Sequence, residues 1–236
     1  LTVPIPHHHH HEKHSLSLLA LRDFVVGMSD GLTVPFALSA GLSGAVSNNS
    51  IILVAGIAEI IAGTISMGLG GYLAGQTEIE HYEGEQKREE MEVKRIPEEE
   101  KDEVKNILEG YGISPATQEA VAEDLTKDHS KWVDFMMRFE LGLEKPDPQQ
   151  AFMSAWRIGL SYAVGGFVPL SAYFFCATPD LGLRYSALIT VICLMIFGFY
   201  KARFTGQNPW KGAFTVTLTG LLAAGAAFGI AKLIKA

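Results

Sequence analysis

Cysteine is scarce, with two residues in 236, Cys176 and Cys193. Both sit in apolar stretches without a partner at framework or metal-ligand spacing. That excludes a disulfide scaffold and a Cys zinc site, and leaves two buried packing thiols as the expectation. Strict apolar/polar alternation is also missing, which argues against strands. A secretory signal of the usual form is absent, and because residue 1 is Leu rather than Met a truncated N-terminus is expected. Acidic residues are nearly absent from most of the chain: outside residues 77–150 there are 5, against 9 Lys and Arg.

The charge is concentrated in that one block, which holds 21 Asp and Glu against 10 Lys and Arg, within a total net charge of −7. On either side of it lie five apolar runs, at about 16–45, 50–76, 151–177, 183–203 and 210–234. Each is long enough to cross about 30 Å of hydrocarbon, which takes roughly 20 helical residues. Their Gly and Ala content suits closely packed membrane helices, with Gly71/Gly75 and Gly225/Gly229 at small-xxx-small spacing as expected packing faces. The reading is an all-α integral membrane protein with five transmembrane helices. Its expected parts are an N-terminal tail with a His tract (1–15), spans one and two (16–76), a helical metal-binding domain (77–150) and spans three to five (151–236). The tract, His7 to His11, resembles either a tag or a native His-rich tail.

Five spans put the two termini on opposite sides. Lys201, Arg203 and Lys211, between spans four and five, fall on the side of Lys13, Arg22 and the acidic block, whereas the opposite loops offer Arg184. The positive-inside rule therefore places the N-terminus and residues 77–150 in the cytosol; Lys232 and Lys235 at the C-terminus weaken the asymmetry.

The acidic block carries helix signals rather than a disordered pattern. Pro97 opens "PEEEKDEVKNILEGYG" with acids following, Gly110 and Gly112 stop it, and Ser114 is the expected cap before Pro115. No Pro or Gly pair interrupts residues 77–83, so the first helix should continue directly from span two. Glu89 and Glu92 are three apart, as are Glu100 and Glu103, so each pair shares a helix face and can converge on a cation. Met136, Met137 and Glu140 stand at i, i+1 and i+4, which can bring sulfur beside a carboxylate. Acidic pairs also form ordinary solvated faces, and the methionines also suit a small core with Trp132, Phe135 and Phe139. Carboxylates alone suit Ca²⁺ or Mg²⁺; thioether sulfur beside them favours a softer ion such as Fe²⁺.

Charges inside the apolar runs raise the sharper question. Asp23 and Asp30 are seven apart, two turns along one face of span one. A carboxylate near mid-membrane costs about 2.5–3.5 kcal/mol on insertion scales and is normally kept for ion paths or proton relays. Asp30 could instead cap a helix break at "SDG". Pro35, four residues after Gly31, cannot bond the Gly31 carbonyl, which would leave a free oxygen beside Asp30. Span two adds Glu59 and Met67, with Gly63, Ser66 and Gly70 leaving room around them. Together these supply hard oxygen and one soft sulfur along a route, and carboxylates exchange metal for protons.

The stretches "SDGLTVPFALSAGLSG", "AGIAEIIAGTISMGLGGYLA", "DFMMRFELGLEKPDP" and "GGFVPL" together resemble the plant vacuolar iron transporters, a family that includes the yeast vacuolar iron-manganese transporter. The resemblance covers the chain after the His tract. It implies a homodimer in the vacuolar membrane with a lumenal C-terminus, moving Fe²⁺ and sometimes Mn²⁺ from cytosol to vacuole in exchange for protons. It implies a cytosolic metal-binding set of Glu89, Glu92, Glu100, Glu103, Glu140, Met136 and Met137, and a transport path of Asp23, Asp30, Glu59 and Met67. Fe²⁺ is then substrate, not cofactor; Zn²⁺, Mn²⁺ and Co²⁺ are expected at the same sites, and neither an enzymatic activity nor a nucleic-acid partner is expected. One rival is a membrane-attached di-iron carboxylate enzyme, which needs two Glu-x-x-His motifs where only Glu78 to His81 fits. The other is a regulatory membrane protein whose acidic domain docks basic partners, which gives no reason for Asp30 or Glu59.

Overall fold

A computed structural model describes the backbone of residues 10–235 and the side chains of residues 18–234, so the His tract lies outside the described side chains. Eight helices follow in order: α1 (His10–Ala45), α2 (Asn49–Arg95), α3 (Pro97–Gly110), α4 (Pro115–Leu125), α5 (His129–Phe139), α6 (Pro148–Phe175), α7 (Pro179–Phe204) and α8 (Pro209–Lys235). Five of them, α1, α2, α6, α7 and α8, are long and apolar enough to cross a membrane. α1 begins at His10, ahead of the expected start at 16, and continues through Pro35 without a break. α2 has 47 residues, about 70 Å at 1.5 Å per residue, far more than the hydrocarbon layer needs. Only its first half is apolar.

The chain divides into two compact units, residues 1–72 with 152–236, and residues 73–151. In the first unit α8 packs against α1 and α7. α1 crosses α6 where glycine lets the backbones approach: a Cβ on Gly165 would stand 3.0 Å from the Gly31 carbonyl carbon. α2 meets α6 where Gly63 lies under the Tyr162 ring and Gly56 against Leu170. Small residues at such crossings replace the hydrophobic drive that lipid cannot supply. Gly71 joins this packing through Ile158, whereas Gly225 and Gly229, expected to do the same, have open space beside them. Cys176 and Cys193 are free and half-buried, not the buried thiols expected.

The second unit has its own core of Tyr82, Val93, Val104, Leu108, Ala122, Trp132, Val133, Met136 and Met137. Pro97 opens α3 with Glu98, Glu99 and Glu100 in the first turn, where the helix dipole favours anions. Gly112 takes φ +76° after α3 ends, a left-handed conformation that costs glycine little. Ser114 occupies the N-cap of α4, but its hydroxyl pairs with Thr117 Oγ1 at 3.0 Å instead of capping a backbone N–H. Asp128 does cap α5, accepting from the Ser130 and Lys131 amides. Glu119 ties α4 to α3 through Lys101 at 2.8 Å and Lys105 at 2.7 Å.

Candidate metal site

In the second unit three carboxylates from three elements converge. Glu89 comes from α2, Glu100 from the first turn of α3, and Glu140 from the C-cap of α5, where its amide donates to the Met136 carbonyl at 3.0 Å. One oxygen of each lies within 4.8 Å of the others, the one such grouping of acidic, His or Cys ligands among the described residues. Glu89 is 1% exposed and Glu100 3%, and each keeps an oxygen without a hydrogen-bond partner, Glu89 Oε1 and Glu100 Oε2.

Burial above all, then the charge of Glu100 and the hydrogen bond that Glu89 donates to it, push the Glu89 carboxyl up to about 8. Burial also raises Glu100. Glu140 is an exposed residue whose carboxyl nevertheless faces the cluster: loss of water around it, then the charges of Glu103, Glu100 and Glu92, push it up to about 7. Like charges this close stay ionised together only with a cation among them. Glu92 and Glu103 are thus felt electrostatically by the cluster, although Glu92 is also paired with Arg88 at 3.5 Å. Met136 and Met137 are 0% and 1% exposed and belong to the core that backs the cluster. His81 and Glu78 are exposed and take no part in it.

In the first unit Asp30 is half-buried on α1 and forms no hydrogen bond or ion pair among the described residues. Glu59 on α2 accepts a hydrogen bond from the Tyr162 hydroxyl through Oε1, while its Oε2 is buried without a partner among the described residues. Met67 lies two turns further along α2, half-buried. Asp23 is 0% exposed: Ser154 Oγ donates to its Oδ2 at 2.6 Å, and the guanidiniums of Arg157 and Arg22 stand at 3.6 and 3.5 Å. Asp23 is therefore charge-compensated by protein, and Asp30 is not.

Tyr162, Ser154 and Arg157 are the site residues the sequence reading passed over. A signal existed for one of them, since Arg157 is a cation inside an apolar run and such residues pair with something. Tyr162 gave none beyond a hydroxyl in an otherwise apolar stretch. All three reach their partners across more than 100 residues of chain.

A family model described as "VIT family" matches residues 21–232. The chain is 49% identical over 229 residues to "Vacuolar iron transporter 1" of Oryza sativa subsp. japonica, covering 97% of this chain and 91% of that one. To "Vacuolar iron transporter 1" of Arabidopsis thaliana it is 50% identical over 231 residues, 98% and 92% of the two lengths. To "Protein CCC1" of Saccharomyces cerevisiae it is 37% identical over 223 residues, covering 91% of this chain and 69% of the yeast one. A family match over residues 21–232, with 49–50% identity to the rice and Arabidopsis proteins across nearly the whole chain, places it in the VIT family of vacuolar iron transporters.

Proposed function

We propose that the chain is a proton-coupled antiporter in the vacuolar membrane that carries Fe²⁺ from cytosol to vacuole. Mn²⁺, Zn²⁺ and Co²⁺ would enter the same sites as further cargo. The observation that carries this reading is the pair of uncompensated carboxylate groups in α1 and α2: Asp30 without a partner, and Glu59 with one buried oxygen unbonded. Keeping such groups in lipid-spanning helices is costly, and a divalent cation or a proton would neutralise each. A carboxylate that binds either one is the elementary exchanger, because metal enters only as the proton leaves.

In this reading Asp30, Glu59 and Met67 form the path, with Asp23 at its end held ready by Ser154 and Arg157. The carboxylates Glu89, Glu92, Glu100, Glu103 and Glu140, backed by Met136 and Met137, capture metal on the cytosolic side. Clustered negative charge raises the local cation concentration without supplying a way through lipid. The clustering of Lys201, Arg203 and Lys211 at the α7–α8 turn supports a cytosolic N-terminus and capture unit and a lumenal C-terminus. A homodimer is supported by the exposed stripe Ala58, Ala62, Ser66 and Gly70 on α2, small residues at a spacing that suits helix-to-helix contact. The di-iron enzyme reading finds no second His-bearing motif, and the relatives are named as transporters.

The test is uptake of Fe²⁺ into proteoliposomes driven by a pH gradient. Asp30→Asn keeps the side-chain shape and removes the charge, and should abolish uptake while metal binding by the capture unit persists. Retained uptake with normal proton coupling would overturn the mechanism, and oxygen consumption linked to Fe²⁺ oxidation would favour the enzyme.

A further inference from the structure

The proposed metal chemistry uses the acidic residues, but the cations at the α7–α8 turn form no ion pair among the described residues. Lys201 near the end of α7 and Lys211 in the first turn of α8 line a cavity of about 340 Å³, together with Thr205, Gln207, Asn208 and Thr215. Neither lysine forms an ion pair among the described residues, and after Asp180 the sequence contains no acidic residue at all. Asn208 uses its side-chain oxygen on the Trp210 and Lys211 amides, at 3.0 and 3.3 Å, which turns its NH₂ away from that turn as a free donor. The cavity therefore offers two ammonium groups and an amide donor, with no anion of its own.

Its height in the membrane is marked by its neighbours. Tyr200 and Trp210, each next in sequence to one of the lysines, are exposed aromatic residues of the kind that settle at the headgroup level. Phe24 stacks edge-on against Phe197 at 6.2 Å, so this is also the end of the bundle that holds the first turns of the α1 span. On the proposed orientation it faces the cytosol, the leaflet with anionic lipid. Orientation alone requires only a number of cations on one side; it does not require two of them to share a cavity.

We propose that this cavity between the α7 C-terminus and the α8 N-terminus binds the phosphorylated headgroup of an anionic phospholipid. The two lysines neutralise the phosphate, and Asn208, Gln207 and Thr215 line the same cavity, where their NH₂ and hydroxyl groups can donate to its oxygens. A bound headgroup would tie the α7–α8 turn to one leaflet. The inference uses the proposed orientation to choose the leaflet and is independent of the metal path.

Native mass spectrometry of the full chain, purified from phosphatidylcholine vesicles doped with a phosphatidylinositol phosphate, reads the bound lipid directly. The wild-type chain should retain the anionic lipid over phosphatidylcholine. Loss of each lysine should weaken retention about fivefold, and Lys201→Gln with Lys211→Gln about thirtyfold. Lys201→Arg with Lys211→Arg should retain it, which keeps the test valid if the glutamine variant folds poorly. Arg203→Gln removes the same charge from outside the cavity and should change little. Undiminished lipid in the double glutamine variant, or an equal loss in Arg203→Gln, would overturn the site. Displacement of the lipid by inorganic phosphate at equal concentration would overturn its assignment to a lipid and make it a site for a soluble anion.

Discussion

The Tyr162 hydroxyl holds one oxygen of Glu59 and leaves the other free, so a single hydrogen bond aims the carboxylate. Tyr162→Phe keeps the ring over Gly63 and removes only the hydroxyl. A hydrogen bond to a charged group is worth about 1.5–3 kcal/mol, so the apparent KM for metal uptake should rise about tenfold or more with the fold intact. Initial rates of uptake against metal concentration measure this, and an unchanged KM would reduce the hydroxyl to packing. Asp23 and Arg157 obey a different rule. Asp23 is fully buried, so Arg157→Ala would leave it without its α6 counter-charge, at a cost of about 3–5 kcal/mol. Thermal unfolding of the purified protein should show that loss, and Asp23→Asn in the same chain should recover part of it. Recovery without restored transport would assign the pair to the α1–α6 contact and remove Asp23 from the path.

α5 shows how one short helix can serve the core and the proposed ligand set together. Met136 and Met137 are buried among Trp132, Val133 and Val104, while Glu140 caps the same helix one turn later. Met136→Ala should cost about 2–5 kcal/mol of stability through the cavity it leaves. Met136→Leu conserves volume and should cost less than about 1.5 kcal/mol, yet it removes the sulfur. If Met136→Leu binds Fe²⁺ as wild type does, the methionine backs the site and is not a ligand; isothermal titration decides. Elements of this kind were legible in the sequence to different depths. The five apolar runs could be read because hydropathy sums over some 20 residues and depends little on neighbours. Spacing named Glu89, Glu100 and Glu140 as candidates, but it paired residues within a helix, whereas the observed cluster takes one carboxylate from each of three helices. Gly71 and Gly225 illustrate the same limit: both begin a small-xxx-small pair, and only the first packs within the chain. Periodicity reports a face, and tertiary structure decides what that face meets.

At the scale of the whole molecule, pH should govern metal capture and, on the proposed antiport mechanism, link it to the proton gradient. Burial and neighbouring charge hold Glu89 up to about 8 and Glu140 up to about 7, so near neutrality the cluster carries protons that metal must displace. Affinity for Fe²⁺ should therefore rise as pH increases through 7 toward 8, with proton release on binding. The metal-free unit should behave in the opposite sense. A carboxyl whose folded pKa lies above its ordinary 4.5 binds more protons in the folded state. Its stabilising share is then complete below that value and declines as pH climbs to about 8, leaving buried carboxylates facing one another. Added metal should cancel the decline, because the cation replaces the protons. Titrations in buffers of different ionisation enthalpy count the released protons, and melting curves with and without metal across the same range test the stability half. A metal affinity independent of pH between 7 and 8 would mean that the three carboxylates are already ionised without a cation, and would remove the cluster from any account of proton-linked capture.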